Sequence, residues 1–306
     1  MIVMKKIASF CFAILLPILF LRGQQTVQER LGYSKDTKLL IIHGDDLGVA
    51  HSENAATINA LEKGSVSSAS IMVPTPWFSE IAAYGAAHSK ADLGLHLTLT
   101  SEWKYYKWRT LADETPGLNN KQGFMFSDVD SVYASATISE VEKELRKQIE
   151  KANQSGIDVT HFDSHMGTLF GRPEYLKLYI QLGREYKVPV MLPAALKAPL
   201  GSFLTDKDVL VDAIYGAGPD DFKKGMAKYY SGVLDTLKAG LNVMIIHLAY
   251  DNIETQAMTI DHPEWGAAWR QADFNYFTSE DCKKLLRDRN IKIITWREIR
   301  DKLVRN

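Results

Sequence analysis

The sequence predicts an α/β protein folded as a TIM-like β/α barrel, either complete or incomplete. Seven short apolar segments alternate along the chain with segments of helical periodicity. The apolar segments lack the polar alternation of a half-exposed strand, so we expect a parallel sheet that is buried on both faces. Seven strand–helix units fit one barrel better than two separate domains.

Each element has its own pattern. The seven predicted strands are Lys38–His43, Ser68–Val73, Leu93–Leu99, Val159–Phe162, Val188–Leu192, Val243–His247 and Ile291–Thr295. The clearest predicted helix covers Ile138–Asn153, where apolar residues recur at steps of three and four. Thr137 and Glu140 provide a capping-box start for it, and Gly156 a suitable end. The other predicted helices are Ser52–Lys63, Trp77–His88, Pro173–Tyr186, Asp220–Lys238 and Glu280–Arg289.

The amino terminus has the pattern of a secretory signal peptide. Lys5 and Lys6 precede a nearly uninterrupted apolar stretch, Ile7–Leu21, which is short for a membrane span. We therefore predict a signal peptide over residues 1–23 and an exported protein, periplasmic or extracellular, with no stable membrane insertion after cleavage. Leu21 is not small, so an uncleaved anchor is the alternative. Residues 34–306 are predicted to form a single catalytic domain.

Composition narrows the class of partner. The 306-residue chain has 36 Lys and Arg against 37 Asp and Glu, a formal net charge of −1. This balance gives no basic surface for nucleic acid, so small or neutral molecules are the expected partners. Outside the leader Cys282 is the one cysteine, so no intramolecular disulfide is expected.

Carboxylate and imidazole side chains are predicted to meet at one rim of the barrel. They are Asp45 and Asp46 after the first strand, His96 near the end of the third, Asp163 and His165 after the fourth, and His247 at the end of the sixth. The active site of a parallel barrel lies at the carboxyl ends of its strands. One such residue could be placed there by chance, but agreement among four strands predicts a site.

The Asp45–Asp46 pair is the most informative feature of this rim. Adjacent carboxylates repel each other, and a bound cation or a retained proton would offset the charge. One Asp could bind a metal while its neighbour acts as a base. Alternatively, one Asp caps the following helix and the other is solvated. A carboxylate with two imidazoles is a common ligand set for zinc and other divalent metals, and it leaves positions open for water and substrate.

The remaining histidines are not expected to take part in catalysis or metal binding. His161 is expected to be structural, because it and Asp163 alternate with their neighbours along a strand. Three others lie in helix or loop contexts and are expected at the surface: His51, His88 and His262.

Aromatic residues crowd the long segment that follows the third strand. Aromatic faces stack on the apolar faces of sugar rings, so Trp103 and Trp108 are predicted to contact substrate. Trp265 and Trp269, in a late loop, are expected to line the other side of the cavity. The alternative is that aromatics of the long segment form a small satellite core that holds the loop in place.

Three sequence blocks resemble the signature of the YdjC-like carbohydrate deacetylases. They are Gly44-Asp45-Asp46-Leu47-Gly48, Gly94-Leu95-His96-Leu97-Thr98-Leu99 and Asp163-Ser164-His165. That family includes chitooligosaccharide deacetylases and a hopanoid-biosynthesis branch. The resemblance implies a barrel of the polysaccharide-deacetylase type that binds one divalent metal ion and acts on an acetylated oligosaccharide.

The resemblance also implies roles for individual residues. Asp46, His96 and His165 would bind the metal, either Zn²⁺ or Mg²⁺, with Asp163 supporting them from behind. Asp45 would be the catalytic base and His247 the candidate acid. The segment around Arg270 and Asp273 also resembles a family segment, and Arg270 is expected in the substrate site. An Arg bonded to Asp45 would orient it and tune its pKa, whereas the alternative is a structural salt bridge.

The chain departs from the family pattern at His43, Gly167 and Leu248, which puts the substrate contacts in question. Two other functions are therefore alternatives to a deacetylase. One is a different metal-dependent hydrolase on the same scaffold, and the other is a non-catalytic carbohydrate-binding protein.

Overall fold

The computed structural model describes residues 25–306, so the signal peptide predicted at residues 1–23 lies outside the described residues. The strands are β1 Lys38–Leu47, β2 Ser68–Ile71, β3 Leu93–Leu97, β4 Phe162–Ser164, β5 Leu192–Pro193, β6 Leu210–Val211, β7 Ala213–Gly216, β8 Gly240–His247 and β9 Ile291–Ile293. The first helices are α1 Val27–Leu31, α2 His51–Lys63, α3 Phe78–Ala87, α4 Val129–Ser135, α5 Ile138–Gln154 and α6 Pro173–Tyr186. They are followed by α7 Lys197–Leu200, α8 Pro219–Lys224, α9 Met226–Thr236, α10 Ile253–Met258, α11 Ala267–Phe277, α12 Glu280–Asp288 and α13 Trp296–Ile299.

The strands form a parallel, TIM-like barrel that is incomplete in its hydrogen bonding. The main sheet has the order β4-β3-β2-β1-β8-β7, with β9 also paired to β1. A two-stranded sheet of β5 and β6 spans the remaining gap, where Phe162 bridges to Val190 and only Asp212 separates β6 from β7. The predicted α/β barrel is confirmed.

Helices cover the outer face of the sheet, as a buried parallel sheet requires. On α5, Val141, Leu145 and Ile149 are buried in the same apolar cluster as Leu95 and Leu97 of β3. The capping box of Thr137 and Glu140 starts this helix as predicted. None of the helices in residues 25–306 is both long and apolar enough to cross a bilayer.

A local irregularity at the end of β1 turns both carboxylates of the aspartate pair into the barrel cavity. Neighbouring strand residues normally point to opposite faces. Here the pairing of β1 with β2 shifts between Gly44 and Leu47, and Asp46 has a left-handed φ of +69°. Aspartate is one of the few residues with a side chain that tolerates this conformation. Asp45 and Asp46 therefore both line the cavity.

Several predicted boundaries differ from the observed ones. The first strand extends four residues beyond His43 and pairs Asp45 with His247, and the fourth begins at Phe162 instead of ending there. The helix predicted over Asp220–Lys238 is divided into α8 and α9, because Gly225 between them has φ +101°. The late loop predicted around Trp269 is in fact helical, in α11.

Candidate metal centre and active site

A cavity of about 630 Å³ opens at the carboxyl ends of the strands. All of the predicted site residues except Trp108 and Trp269 line it: Asp45, Asp46, His96, Trp103, Asp163, His165, His247, Trp265 and Arg270. They come from β1, β3 and the segment after it, β4 and the turn after it, the end of β8, and α11 with the loop before it. The rim predicted from the strand ends is therefore present, and it holds one compact group of side chains.

Asp46, His96 and His165 have the geometry of a metal site. Asp46 Oδ1 lies 3.4 Å from His96 Nε2 and 3.5 Å from His165 Nδ1. This oxygen is buried and has no hydrogen-bond partner within residues 25–306. Ligand atoms about 2.1 Å from a tetrahedral zinc ion lie about 3.4 Å from one another. The three residues therefore fit a divalent cation held between them.

Both imidazoles are held from behind by carboxylates. His96 Nδ1 is 2.7 Å from Asp163 Oδ1, and His165 Nε2 is 3.0 Å from Glu102 Oε2. Such partners orient a metal-binding imidazole and fix which nitrogen faces the metal. Burial lowers the pKa of His165, but Glu102 and Asp46 outweigh it and raise that pKa to about 10. The pocket thus has an excess of negative charge that favours a bound cation.

Arg270 does not bind Asp45, so the orienting role suggested for it at Asp45 is wrong. Its Nη2 donates to Asp46 Oδ2 at 2.8 Å, and its Nη1 donates to Glu53. The reason is that α11 packs against α2, which directs Arg270 toward the buried Glu53. Although burial raises it, the pKa of Asp46 is held well below its ordinary value by Arg270 and the adjacent imidazoles.

Asp45 and His247 are cross-strand neighbours on β1 and β8 and lie close to the proposed ligands. Asp45 Oδ2 is 3.8 Å from His96 Nε2, and His247 Nε2 is 3.9 Å from Asp46 Oδ2. Burial lowers the pKa of His247, and its backbone N–H donates to Asp273 Oδ2 at 3.0 Å. The two groups predicted to move protons therefore both lie next to the proposed metal site.

Trp103 and Trp108 are buried in the same satellite cluster, but of these two only Trp103 also lines the cavity. Trp103 lines the cavity with the Arg270 guanidinium 5.4 Å from its ring, and Trp265 lines it while stacking on Trp269. The prediction for Trp108 is wrong, because this residue is buried in a cluster with Met72 and Met125, and its Nε1 donates to Thr100.

Two further predictions about aromatic rings change. Trp269 is fully buried between Trp265 and Phe222, so it supports the cavity wall without lining it. His262 is exposed as predicted, yet it lines the cavity rim with its ring 5.2 Å from Trp103. His161 is buried beneath the site and stacks on Trp296, in the structural position predicted for it.

Three residues of the site were not assigned from sequence. Glu102 follows the third strand, so the rule about strand ends could have found it. Glu53 lies on α2 and is not part of a recognisable sequence motif, so no sequence signal points to it. His43 was noted only as a departure from the family pattern, and its side chain lies directly behind Asp45.

A parallel β/α barrel with carboxylates and imidazoles gathered at its strand ends has the architecture of a hydrolytic enzyme. The sequence profile of the YdjC-like protein family matches residues 39–288. This chain therefore belongs to that family, and the resemblance seen in the three motif blocks is confirmed.

Individual relatives match along nearly their whole length. A carbohydrate deacetylase of Thermus thermophilus is 30% identical over 288 residues, which cover 90% of this chain and 98% of that protein. A carbohydrate deacetylase of Brevibacillus brevis is 26% identical, with coverage of 85% and 99%. One solved structure with a similar fold is a crystal structure of an Enterococcus faecalis V583 protein to which cellobiose-phosphate cleavage has been ascribed. It matches this chain with a TM-score of 0.71 at 20% identity, and the match covers 85% of this chain and 98% of that chain. The fold is therefore shared with a solved structure.

Proposed function

We propose that this protein is a metal-dependent carbohydrate deacetylase that hydrolyses an N-acetyl or O-acetyl group on an oligosaccharide or glycoconjugate. The observation that carries the proposal is the unpartnered Asp46 Oδ1 between two imidazole nitrogens, with Asp45 beside it. Relatives that cover the whole domain bear the name carbohydrate deacetylase. Because of the apolar amino-terminal stretch, we also propose that the protein is exported.

The ligand set defines what the metal would contribute. A divalent ion held by Asp46, His96 and His165 would supply an acidified water and polarise the acyl carbonyl. Two imidazoles and one carboxylate suit zinc better than magnesium, which prefers more oxygen ligands.

The protein's own side chains supply the proton transfers. Amide hydrolysis needs a base for the attacking water and a proton for the leaving amine. The Asp45 carboxylate faces the ligand group with Oδ2, so we assign it as the base. The Nε2 of His247 lies 3.9 Å from Asp46 Oδ2, and we assign this side chain to protonate the leaving nitrogen or to donate a hydrogen bond to the developing oxyanion.

The cavity wall favours an uncharged sugar over a phosphoester. Trp103, Trp265, Phe170 and Ile245 are among the residues that give the wall its apolar area. No lysine lines the cavity in residues 25–306, and its arginine is already paired with two carboxylates. A phosphate group would find no free cationic side chain there, whereas the apolar face of a sugar ring and an acetyl methyl would be well accommodated.

Acetate release from N-acetylated chitooligosaccharides by the purified, zinc-loaded protein tests this proposal. We expect turnover in the wild type and its loss in Asp45→Asn, which keeps the size of the side chain and removes the base. Metal content and the thermal midpoint of both proteins serve as controls for folding. Full activity in Asp45→Asn would refute the mechanism, and a wild type that binds sugar without releasing acetate would favour the carbohydrate-binding alternative.

A further inference from the structure

His43 is buried behind the proposed base, at a position to which no role is assigned above. It precedes Asp45 by two residues on β1, so both side chains point to the same face of the strand. The His43 side chain is completely buried. Its Nε2 lies 3.1 Å from Asp45 Oδ1 and 2.6 Å from Asp163 Oδ2, while its Nδ1 lies 3.1 Å from Ser68 Oγ.

The hydrogen-bond partners of His43 indicate that both ring nitrogens carry protons. Nε2 donates its hydrogen bond to Asp163 Oδ2 at 2.6 Å, because a carboxylate only accepts, and Asp45 Oδ1 is an ion-pair contact of the same nitrogen at 3.1 Å. On the other side Ser68 Oγ donates its hydrogen to Asp92 Oδ1 at 3.2 Å, which leaves Ser68 as an acceptor for Nδ1. His43 is therefore an imidazolium. Burial lowers the pKa of His43, but Asp163 and Asp45 outweigh it and raise that pKa to about 10.

Asp45 needs a cationic partner because other carboxylates surround it. Asp46 is its neighbour in sequence, and Asp163 contacts the same imidazole of His43. Arg270, the arginine of the cavity wall, is paired with Asp46 and Glu53 instead. His43 is thus the cation that faces Asp45, and the contact to Oδ1 leaves Oδ2 directed toward His96 and the cavity.

We propose that His43 is a positioning residue for the base: its imidazolium fixes the Asp45 carboxylate so that Oδ2 faces the attacking water. This inference rests on the proposed function. The same imidazolium contacts Asp163, which holds His96, so one buried cation connects the base to the support of a metal ligand. A misplacement of about 1 Å in a reacting group can lower the rate by about 100-fold.

The test compares His43→Gln with His161→Gln in the zinc-loaded, full-length protein. Glutamine can still donate a hydrogen bond but carries no charge. His161 is a matched control, because it is also completely buried and its ring centroid is 4.9 Å from that of His43. It contacts Asp92 and Thr160 instead of Asp45. His43→Asn is the second variant should His43→Gln not fold.

The split between kcat and KM distinguishes positioning from a merely structural role. We expect His43→Gln to lower kcat by about 10- to 100-fold, with KM within about twofold of wild type and one zinc per chain. His161→Gln should keep kcat within about twofold.

The possible failures are distinguishable. A wild-type kcat in His43→Gln overturns this inference alone, as does an equal loss of kcat in His161→Gln. A wild type that releases no acetate overturns the proposed function and this inference with it.

Discussion

Replacing Asp163 with asparagine removes the carboxylate that holds His96 without touching any proposed ligand. Asp163 Oδ1 accepts from His96 Nδ1 at 2.7 Å, and Oδ2 faces His43 Nε2 at 2.6 Å. Asparagine offers one acceptor oxygen and one donating amide group, so it cannot accept from both imidazoles. We expect His96 to lose its fixed orientation and the site to bind zinc more weakly.

The size of the expected loss in zinc affinity follows from the contact between Asp163 and His96. Loss of a carboxylate behind a metal-binding imidazole typically costs 10- to 100-fold in metal affinity. For Asp163→Asn this corresponds to about 1.4–2.7 kcal/mol of zinc-binding free energy. The upper part of the range is expected, because Asp163 is buried and water cannot replace the lost acceptor.

Zinc affinity can be measured by competition between the metal-stripped protein and a chelator of known affinity. Asp92→Asn is the matched control, because Asp92 is a buried carboxylate of the same barrel that binds Thr160 and Ser68 and not His96. The control should keep wild-type zinc affinity even if its thermal midpoint falls. Wild-type affinity in Asp163→Asn would refute the supporting role assigned to Asp163.

Further predictions concern the cavity wall and a buried acid remote from the site. Trp265→Ala should raise KM for the oligosaccharide several-fold, because Trp265 lines the cavity. Trp108→Phe should leave KM unchanged and lower the unfolding free energy by about 1 kcal/mol, since it loses the hydrogen bond to Thr100. A change of KM in Trp108→Phe would contradict the placement of Trp108 outside the cavity. Burial raises the pKa of Glu144 from 4.5 to about 7, so its contribution to stability is complete below pH 4.5 and is lost as the pH rises through 7. Urea unfolding at pH 5 and pH 8 should show a loss of stability with pH that is smaller in Glu144→Gln, and an equal loss in both proteins would refute it.

The sequence was sufficient to predict the site where strand ends determine it. Five of the predicted site residues lie at or just after the end of an apolar strand: Asp45, Asp46, His96, His165 and His247. Parallel strands bring their carboxyl ends together at one rim of the barrel. No knowledge of helix packing is needed for that step. Barrel topology therefore places these residues at one rim, whereas the left-handed φ of Asp46, which turns both aspartate side chains into the cavity, was not predictable from it.

Features that depend on how helices and loops pack were not predictable in this way. Arg270 binds Asp46 and not Asp45 because α11 packs on α2, and the sequence pattern predicts a loop where α11 lies. Trp103 and Trp108 are five residues apart in a segment without periodicity, and both are buried in one cluster, so nothing in the pattern indicates which of the two rings also lines the cavity.

The most direct test is a stepwise zinc titration of the metal-stripped protein in which acetate release is measured at each addition. It asks whether Asp46, His96 and His165 hold the ion on which deacetylation depends. We expect no release without metal, a linear rise, and a plateau at one equivalent of zinc per chain, with no rise in Asp46→Asn. Full activity in the stripped protein in the presence of chelator would contradict the proposed metal centre.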